Sequence, residues 1–466
     1  MERLNVMHFL RFLPLLPLLV SCAVTPDYER RELDVPEAFV ASIDSGESIA
    51  NLNWWELFQD DQLELLIRTS LEENRDLAIA LSRIEESRAK VISVRADQFP
   101  FLNLGGVFGR GQQSRDLIPF ASPVNRFSVT ANLSYQVDFW GRYSRATESA
   151  QATLLATEAA YKTVTISLVS SVASTYLLLR DLDKRLEVSE QTLYTRLDSM
   201  AIIQARFDKG TVPRLDVYQA QIEVSVAEVA IATFQRQIVQ TENALRILLG
   251  RNPGPVVRGD TLEQQIFRPE VPAGLPSELL QRRPDVMQAE ADLMAATATV
   301  GVAEALRYPS ISLTGSFGME SLDLSDLNSS NAETWGVGAN ILGPIFNSGQ
   351  LKAQADGARQ RAVQAGLIYE STLQQSFREV EDALVAVRTY HVEKDAQTRR
   401  ANAALSAAKL SRARYSGGVV DYLEVLDAER TLFNAELAES ETLQLYYNAI
   451  VGLYQALGGG WTVAEE

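Results

Sequence analysis

The chain is written twice. Asp76-Leu77 and Phe99-Pro100 recur 209 residues on as Asp285-Val286 and Tyr308-Pro309. Arg206-Phe207, Gly210, Leu215-Asp216-Val217 and Leu249-Gly250 recur 208 residues on as Arg414-Tyr415, Gly418, Leu423-Glu424-Val425 and Leu457-Gly458. Any fold must therefore be built from two similar halves. They meet at 251–276, where Pro253, Gly254, Pro255, Pro269, Pro272 and Pro276 interrupt regular structure.

Within each half the hydrophobic period changes. Residues 127–138 alternate apolar and polar on nearly every position. So do Ile311, Leu313, Phe317 and Met319 against Ser310, Ser312, Thr314 and Ser316, and Trp335, Val337, Ala339 and Ile341 against Gly336, Gly338 and Asn340. A less regular first strand has Leu102, Leu104 and Phe108 on one side. Period two predicts strands with one apolar and one polar face, at about 100–111, 127–138, 309–320 and 334–342. Their length suits a tilted bilayer crossing. Polar loops 112–126 and 321–333 join each pair. The competing reading is an ordinary antiparallel sheet packed on helices.

Around the strands the period is helical. Residues 143–209 hold neither Pro nor Gly, and Leu179, Leu182, Leu186, Leu193, Met200, Ile203 and Phe207 follow a 3-4 heptad spacing. Such a helix approaches ~100 Å, several times a usual globular one. Its counterpart spans about 351–415, with Leu373, Phe377, Val380, Leu384 and Val387 in register and an Ala-rich stretch after them. Both end at a Gly-bearing turn, Lys209-Gly210-Thr211-Val212-Pro213 and Ser416-Gly417-Gly418-Val419-Val420, and return as a second helix. Each half reads helix, strand, strand, long helix, turn, helix. The predicted organisation is a first repeat at 54–250 with its tip at 209–216, a linker at 251–276, a second repeat at 277–461 with its tip at 416–427, and a tail at 462–466.

The single cysteine, Cys22, excludes an intrachain disulfide and a cysteine-based metal cluster. Arg3 and Arg11 flank an apolar run, and Leu19-Val20-Ser21-Cys22 follows, the layout of a secretory leader over 1–21. Those four residues resemble a bacterial lipobox. The resemblance implies cleavage before Cys22, lipidation there (palmitate among the acyl chains) and a tethered linker over 22–53. Ala23 in place of Asp implies sorting to the outer membrane. After the leader no apolar run is long enough for a spanning helix, so a membrane role rests on the strands. The net charge of −17 argues against nucleic acid and anionic membrane surfaces.

Four strands cannot close a barrel, and a bilayer does not tolerate open sheet edges, because each unpaired backbone group there costs several kcal/mol. If the strands lie in lipid, copies must pool them, and three copies give twelve. The quoted segments now carry a resemblance. Trp54-Trp55-Glu56-Leu57-Phe58, Arg282-Arg283-Pro284-Asp285-Val286, Tyr308-Pro309-Ser310-Ile311-Ser312-Leu313, Gly343-Pro344-Ile345-Phe346 and Leu457-Gly458-Gly459-Gly460-Trp461 resemble the signatures of TolC-like outer-membrane efflux proteins, in order along the mature chain. The NodT-type lipoproteins that serve resistance–nodulation–division pumps are the branch most resembled. The family implies a mainly α fold with a membrane β-barrel. It is a homotrimer with a twelve-stranded outer-membrane barrel continued by a long periplasmic α-helical barrel. It also implies two partners, a periplasmic adaptor (membrane fusion protein) and an inner-membrane transporter.

By the same resemblance the two turns are periplasmic tips, with Gly210, Thr211, Gly417 and Gly418 as adaptor contacts. Leu423 is then the apolar plug, Glu424 and Asp427 are acidic rings at the aperture, and Leu215 and Asp216 are their equivalents in the first tip. Leu423, Glu424 and Asp427 are three and four residues apart and can share one helix face, which by itself also describes a solvated surface. The family often has a charged residue where Val420 stands, so Arg214 is the candidate to replace it in a tip latch. No catalysis, metal or cofactor is expected beyond the lipid on Cys22. There are only two histidines, His8 in the leader and His391, and no phosphate loop follows Gly109-Arg110-Gly111. The rival readings are a duct for type I protein secretion and a periplasmic coiled-coil scaffold that never enters the membrane.

Overall fold

The computed structural model describes residues 28, 29, 35, 36, 38–40, 60–114, 116–265, 276 and 279–459. The leader, Cys22, the segment from Trp54 to Phe58, linker residues 266–275, Trp461 and the tail lie outside them. The first half contains α1 (Asp61–Glu73), α2 (Arg75–Ala96), β1 (Phe101–Gly111), β2 (Val124–Val137), α3 (Arg142–Asp208) and α4 (Arg214–Leu248). The second contains α5 (Leu279–Arg282), α6 (Pro284–Ala305), β3 (Ser310–Ser321), β4 (Glu333–Leu342), α7 (Gln350–Ser416) and α8 (Tyr422–Ala456). The duplication holds to the residue, since α3 and α7 are both 67 residues long and α4 and α8 are both 35.

Local chemistry sets the boundaries. Asp60 caps α1 by accepting from the Gln62 and Leu63 amides at 2.8 and 3.1 Å. Asn74 ends that helix and accepts from the Leu77 amide of the next. The Asp138 carboxylate receives the Tyr143 and Ser144 amides at 3.0 and 2.7 Å, which starts α3. The return helices stop at Gly250 and Gly458, with φ of 68° and 73°. A Cβ on Gly250 would lie 2.1 Å from the Glu73 carbonyl oxygen, so this close approach admits only glycine.

The chain divides into two compact units. One holds residues 84–157 and 288–369, with β1–β4 in a single antiparallel sheet of order β1-β2-β3-β4. Two of its strands start earlier than the alternation alone indicates, β2 at Val124 and β4 at Glu333. The other holds the described residues within 33–83, 158–287 and 370–459. Its core surrounds Leu63, Ile67, Tyr176, Leu177, Leu179, Leu245, Leu249 and Tyr454, all essentially buried. Each such aliphatic side chain contributes about 1.5–3 kcal/mol. One stretch of α3 is apolar enough by composition to cross a bilayer, but half of it is buried, as a packed core helix requires.

Within that core the Tyr176 hydroxyl donates to Asp60 Oδ2 at 3.0 Å and accepts from the Gly259 amide at 2.9 Å. Gln265 Nε2 donates to the same carboxylate at 2.7 Å. The linker is thereby fastened to the start of the first repeat.

Candidate functional site

The sheet register sorts every strand residue onto one of two faces. Leu104 is opposite Ala131, Ala131 opposite Phe317, and Phe317 opposite Trp335. The same face carries Leu102, Phe108, Val129, Leu133, Leu313, Val337 and Ile341. The other carries Asn103, Thr130, Asn132, Ser134, Ser312, Thr314, Ser316, Gly336, Gly338 and Asn340. The apolar face is exposed, with Leu104 at 78%, Trp335 at 72% and Val337 at 83%. A soluble sheet buries such a face on helices, so the ordinary packed-sheet reading does not describe these strands. β1 and β4 are the outer strands, each paired on one side only. At the foot of β2 and β3, Trp140 stacks on Tyr308 at 4.6 Å and its indole N–H donates to the Pro309 carbonyl at 2.8 Å.

The second unit builds the two tips. Each long helix ends with a residue at positive φ, Gly210 at 72° and Gly418 at 71°. The Thr211 amide then donates to the Arg206 carbonyl at 3.0 Å, and the Val419 amide to that of Arg414 at 2.9 Å. Gly417 does not share this role. A Cβ there would meet nothing closer than 3.5 Å, and Lys209 occupies its place in the first tip.

The tips pack on each other through Ile203, Ala220, Tyr422, Val425 and Leu426, all buried. Leu423, Glu424 and Asp427 are exposed on the opposite side of α8, so they share one face. Leu215 is 61% exposed, and Asp216 is half-buried. Burial and the neighbouring Asp421 carboxylate hold the Asp216 carboxyl above its usual range. Glu424 accepts from Arg414 Nη1 at 2.8 Å. The Arg214 guanidinium lies over the Tyr218 ring at 5.6 Å, while Arg414 of the second tip itself takes the Glu424 carboxylate.

Above the tips lies a buried charge network. Glu223 of α4 pairs with Arg196 of α3 at 3.1 Å, with 5% and 2% of the side chains exposed. It also pairs with Arg430 of α8, while Glu429 pairs with Arg412 of α7 at 2.6 Å. One carboxylate thus ties the first hairpin to the second. Sequence reasoning missed these residues, although two signals existed. Arg196 occupies the heptad position between Leu193 and Met200, and Glu223 sits in the apolar row with Ala220, Val224 and Ala227.

Comparison with known proteins adds family context. The family model "Outer membrane efflux protein" matches residues 66–251 and again 275–459. The chain is 36% identical over 451 residues to the cation efflux system protein CusC of Escherichia coli O157:H7, covering 95% of this chain and 96% of that protein. It is 37% identical over 469 residues to the solvent efflux pump outer membrane protein SrpC of Pseudomonas putida, covering 97% and 99%. The open-state MtrE outer membrane channel of Neisseria gonorrhoeae superposes with a TM-score of 0.87 at 31% identity, over 94% of this chain and 99% of that one.

Proposed function

The chain belongs to the outer membrane efflux protein family, and from that premise we propose that three copies form one lipid-anchored duct whose tips receive a periplasmic adaptor. It is the outer-membrane channel of an efflux pump. The carrying observation is the sheet, which has one predominantly apolar face with large exposed side chains, an opposite face rich in small polar residues, and two outer strands with open edges. In lipid the edges must be paired, and a second and third copy of β1 and β4 pair them. The apolar face then meets acyl chains, and the Ser, Thr, Asn and Gly face lines a wet lumen. The Trp140–Tyr308 pair supplies the amphipathic rings favoured at a membrane interface.

Cys22 carries the anchoring lipid in this reading. Gly210, Thr211, Gly417 and Gly418 meet the adaptor, beyond which an inner-membrane resistance–nodulation–division transporter supplies the energy. Leu423, Glu424 and Asp427, with Leu215 and Asp216, narrow the aperture. Adaptor binding moves them outward by loosening the contact that Glu223 and Arg430 make between hairpins. Comparable likeness to a cation pump and a solvent pump fits a duct that leaves cargo selection to its transporter.

The test is single-channel recording of purified trimer in planar bilayers. Leu423→Ala and Asp427→Ala are expected to raise conductance or shift cation selectivity, and unchanged currents would remove them from the aperture. A mature chain that is soluble and monomeric without detergent, and forms no pore, would overturn the duct.

A further inference from the structure

The four strands hold four charged residues, and all of them lie at the end of the sheet remote from the helices. The register puts Arg110 and Glu333 on the apolar face, and Arg126 and Glu320 on the polar one. From there to the foot of the sheet the polar face is neutral, with Thr130, Asn132, Thr314, Ser316, Gly336 and Asn340 among its residues. Ser128 is opposite Glu320, so Arg126 and Glu320 are diagonal neighbours across β2 and β3. They meet at two points. Arg126 Nε lies 3.0 Å from Glu320 Oε1, and Nη2 donates to Oε2 at 3.3 Å. Such a fork fixes a planar guanidinium against a carboxylate, yet the side chains are 63% and 46% exposed, and so exposed a pair adds little to stability. Along β2 it stands roughly 35 Å from the foot of the strand. The loops beyond carry Asp116, Asp323 and Asp326, and Arg126 is the one cation that the polar face and those loops present among the described residues.

We propose that the Arg126–Glu320 pair sets the charge of the outer mouth, forming in three copies a ring of compensated charges that lets cargo of either sign leave. The inference rests on the trimeric duct proposed above, with the polar face turned to the lumen. A charge on the wall of such a lumen lies on the order of 10 Å from the axis and acts on a passing ion through water, over a range that salt sets. Three uncompensated Glu320 carboxylates would add to those of the loops and hold cations at the exit. Three uncompensated Arg126 guanidinium groups would hold anions there. A pore conducts only where its binding is weak enough for the ion to leave, and the fork cancels both traps. A plain staple between β2 and β3 makes a different demand. Losing either partner would then have the same effect, whereas a charge ring responds to the two losses with opposite signs.

Reversal potentials in planar bilayers test this, with full-length protein across a gradient of dilute potassium chloride. Arg126→Gln is expected to raise the potassium-to-chloride permeability ratio about fivefold at 0.01 M, and Glu320→Gln to lower it by a similar factor, both effects fading at 1 M. Each variant is recorded alone and with Leu423→Ala, so that the tip does not mask the mouth. The exchanged pair, Arg126→Glu with Glu320→Arg, should return the ratio towards that of the wild type. Pores of normal size whose reversal potentials stay unchanged overturn the ring but leave the duct standing. Shifts of the same sign in both single variants overturn it too, and leave the pair as a staple. A wild-type protein that forms no pore overturns the duct instead. Should a neutralised variant not assemble, charge can be added to assembled pores, because the only native cysteine is Cys22. In Arg126→Cys, a cationic methanethiosulfonate should lower the ratio and an anionic one raise it. Equal responses to the two reagents would refute the proposal.

Discussion

The two tips share a backbone and differ in chemistry. Each joins a 67-residue helix to a 35-residue one through a glycine near φ 70°, and the same amide-to-carbonyl bond closes both turns. The first tip presents Lys209, Thr211, Pro213 and Arg214, whereas the second presents Asp421, Glu424 and Asp427. The Glu223 network also breaks the repeat, since Ile222 and Thr431 stand where exact duplication of Arg430 and Glu223 would put charge. Duplication preserved what the turn needs from the backbone. It released the side chains, so chemistry found in only one half marks what that half does.

The largest test of this division removes the tie between the hairpins. Glu223→Ala leaves Arg196, 2% exposed, without its carboxylate. A buried ion pair broken from one side costs about 3–5 kcal/mol. The half-exposed Arg430 should lose far less. Thermal unfolding of detergent-solubilised trimer measures this. A loss below about 1 kcal/mol would show that the network is not the joint between the halves. Next comes the shared glycine. Gly418→Ala forces a side chain into left-handed backbone and should cost about 1–2 kcal/mol. Gly417→Ala, where a Cβ meets only ordinary van der Waals contacts and φ is not positive, should cost nothing and gain a few tenths of a kcal/mol from the unfolded chain. Equal effects at the two positions would break the equivalence of the tips.

These residues also show where the sequence is legible. Period-two alternation placed the strands because lipid and water impose opposite demands on neighbouring residues. The 3-4 spacing with Gly210 and Gly418 placed the hairpins because helix packing and chain reversal are local. Pairing between hairpins was not legible. Arg196 meets Glu223 across one turn, but Arg430 reaches Glu223 from 207 residues away, and no local period encodes that partner. The Arg414 partner of Glu424, ten residues away across the second turn, was likewise not read from the sequence.

A smaller effect is expected where the halves differ by one oxygen. Tyr415 occupies the place of Phe207, and its buried hydroxyl has no hydrogen-bond partner among the described residues. The Arg206 guanidinium over its ring at 4.6 Å needs only the aromatic face. Tyr415→Phe should therefore stabilise the second tip by about 1 kcal/mol. A clear loss in thermal unfolding would mean the hydroxyl has a use that the packing does not reveal.

The smallest effect separates the acidic tip from the basic one by pH. Asp216 belongs to the first tip, yet Asp421 of the second helps to raise its pKa, after burial itself. A carboxyl whose folded pKa lies above its unfolded value binds more protons in the native state. Stability is then greatest in acid and falls as pH rises from the ordinary carboxylate range through the raised folded value. Asp216→Asn abolishes that slope. The melting temperatures of variant and wild type should converge in acid and separate towards neutrality, with the variant higher. Asp421→Asn should reproduce part of the separation while leaving Asp216 ionisable. If it changed nothing, the two tips would be electrostatically independent, and burial alone would account for the shift.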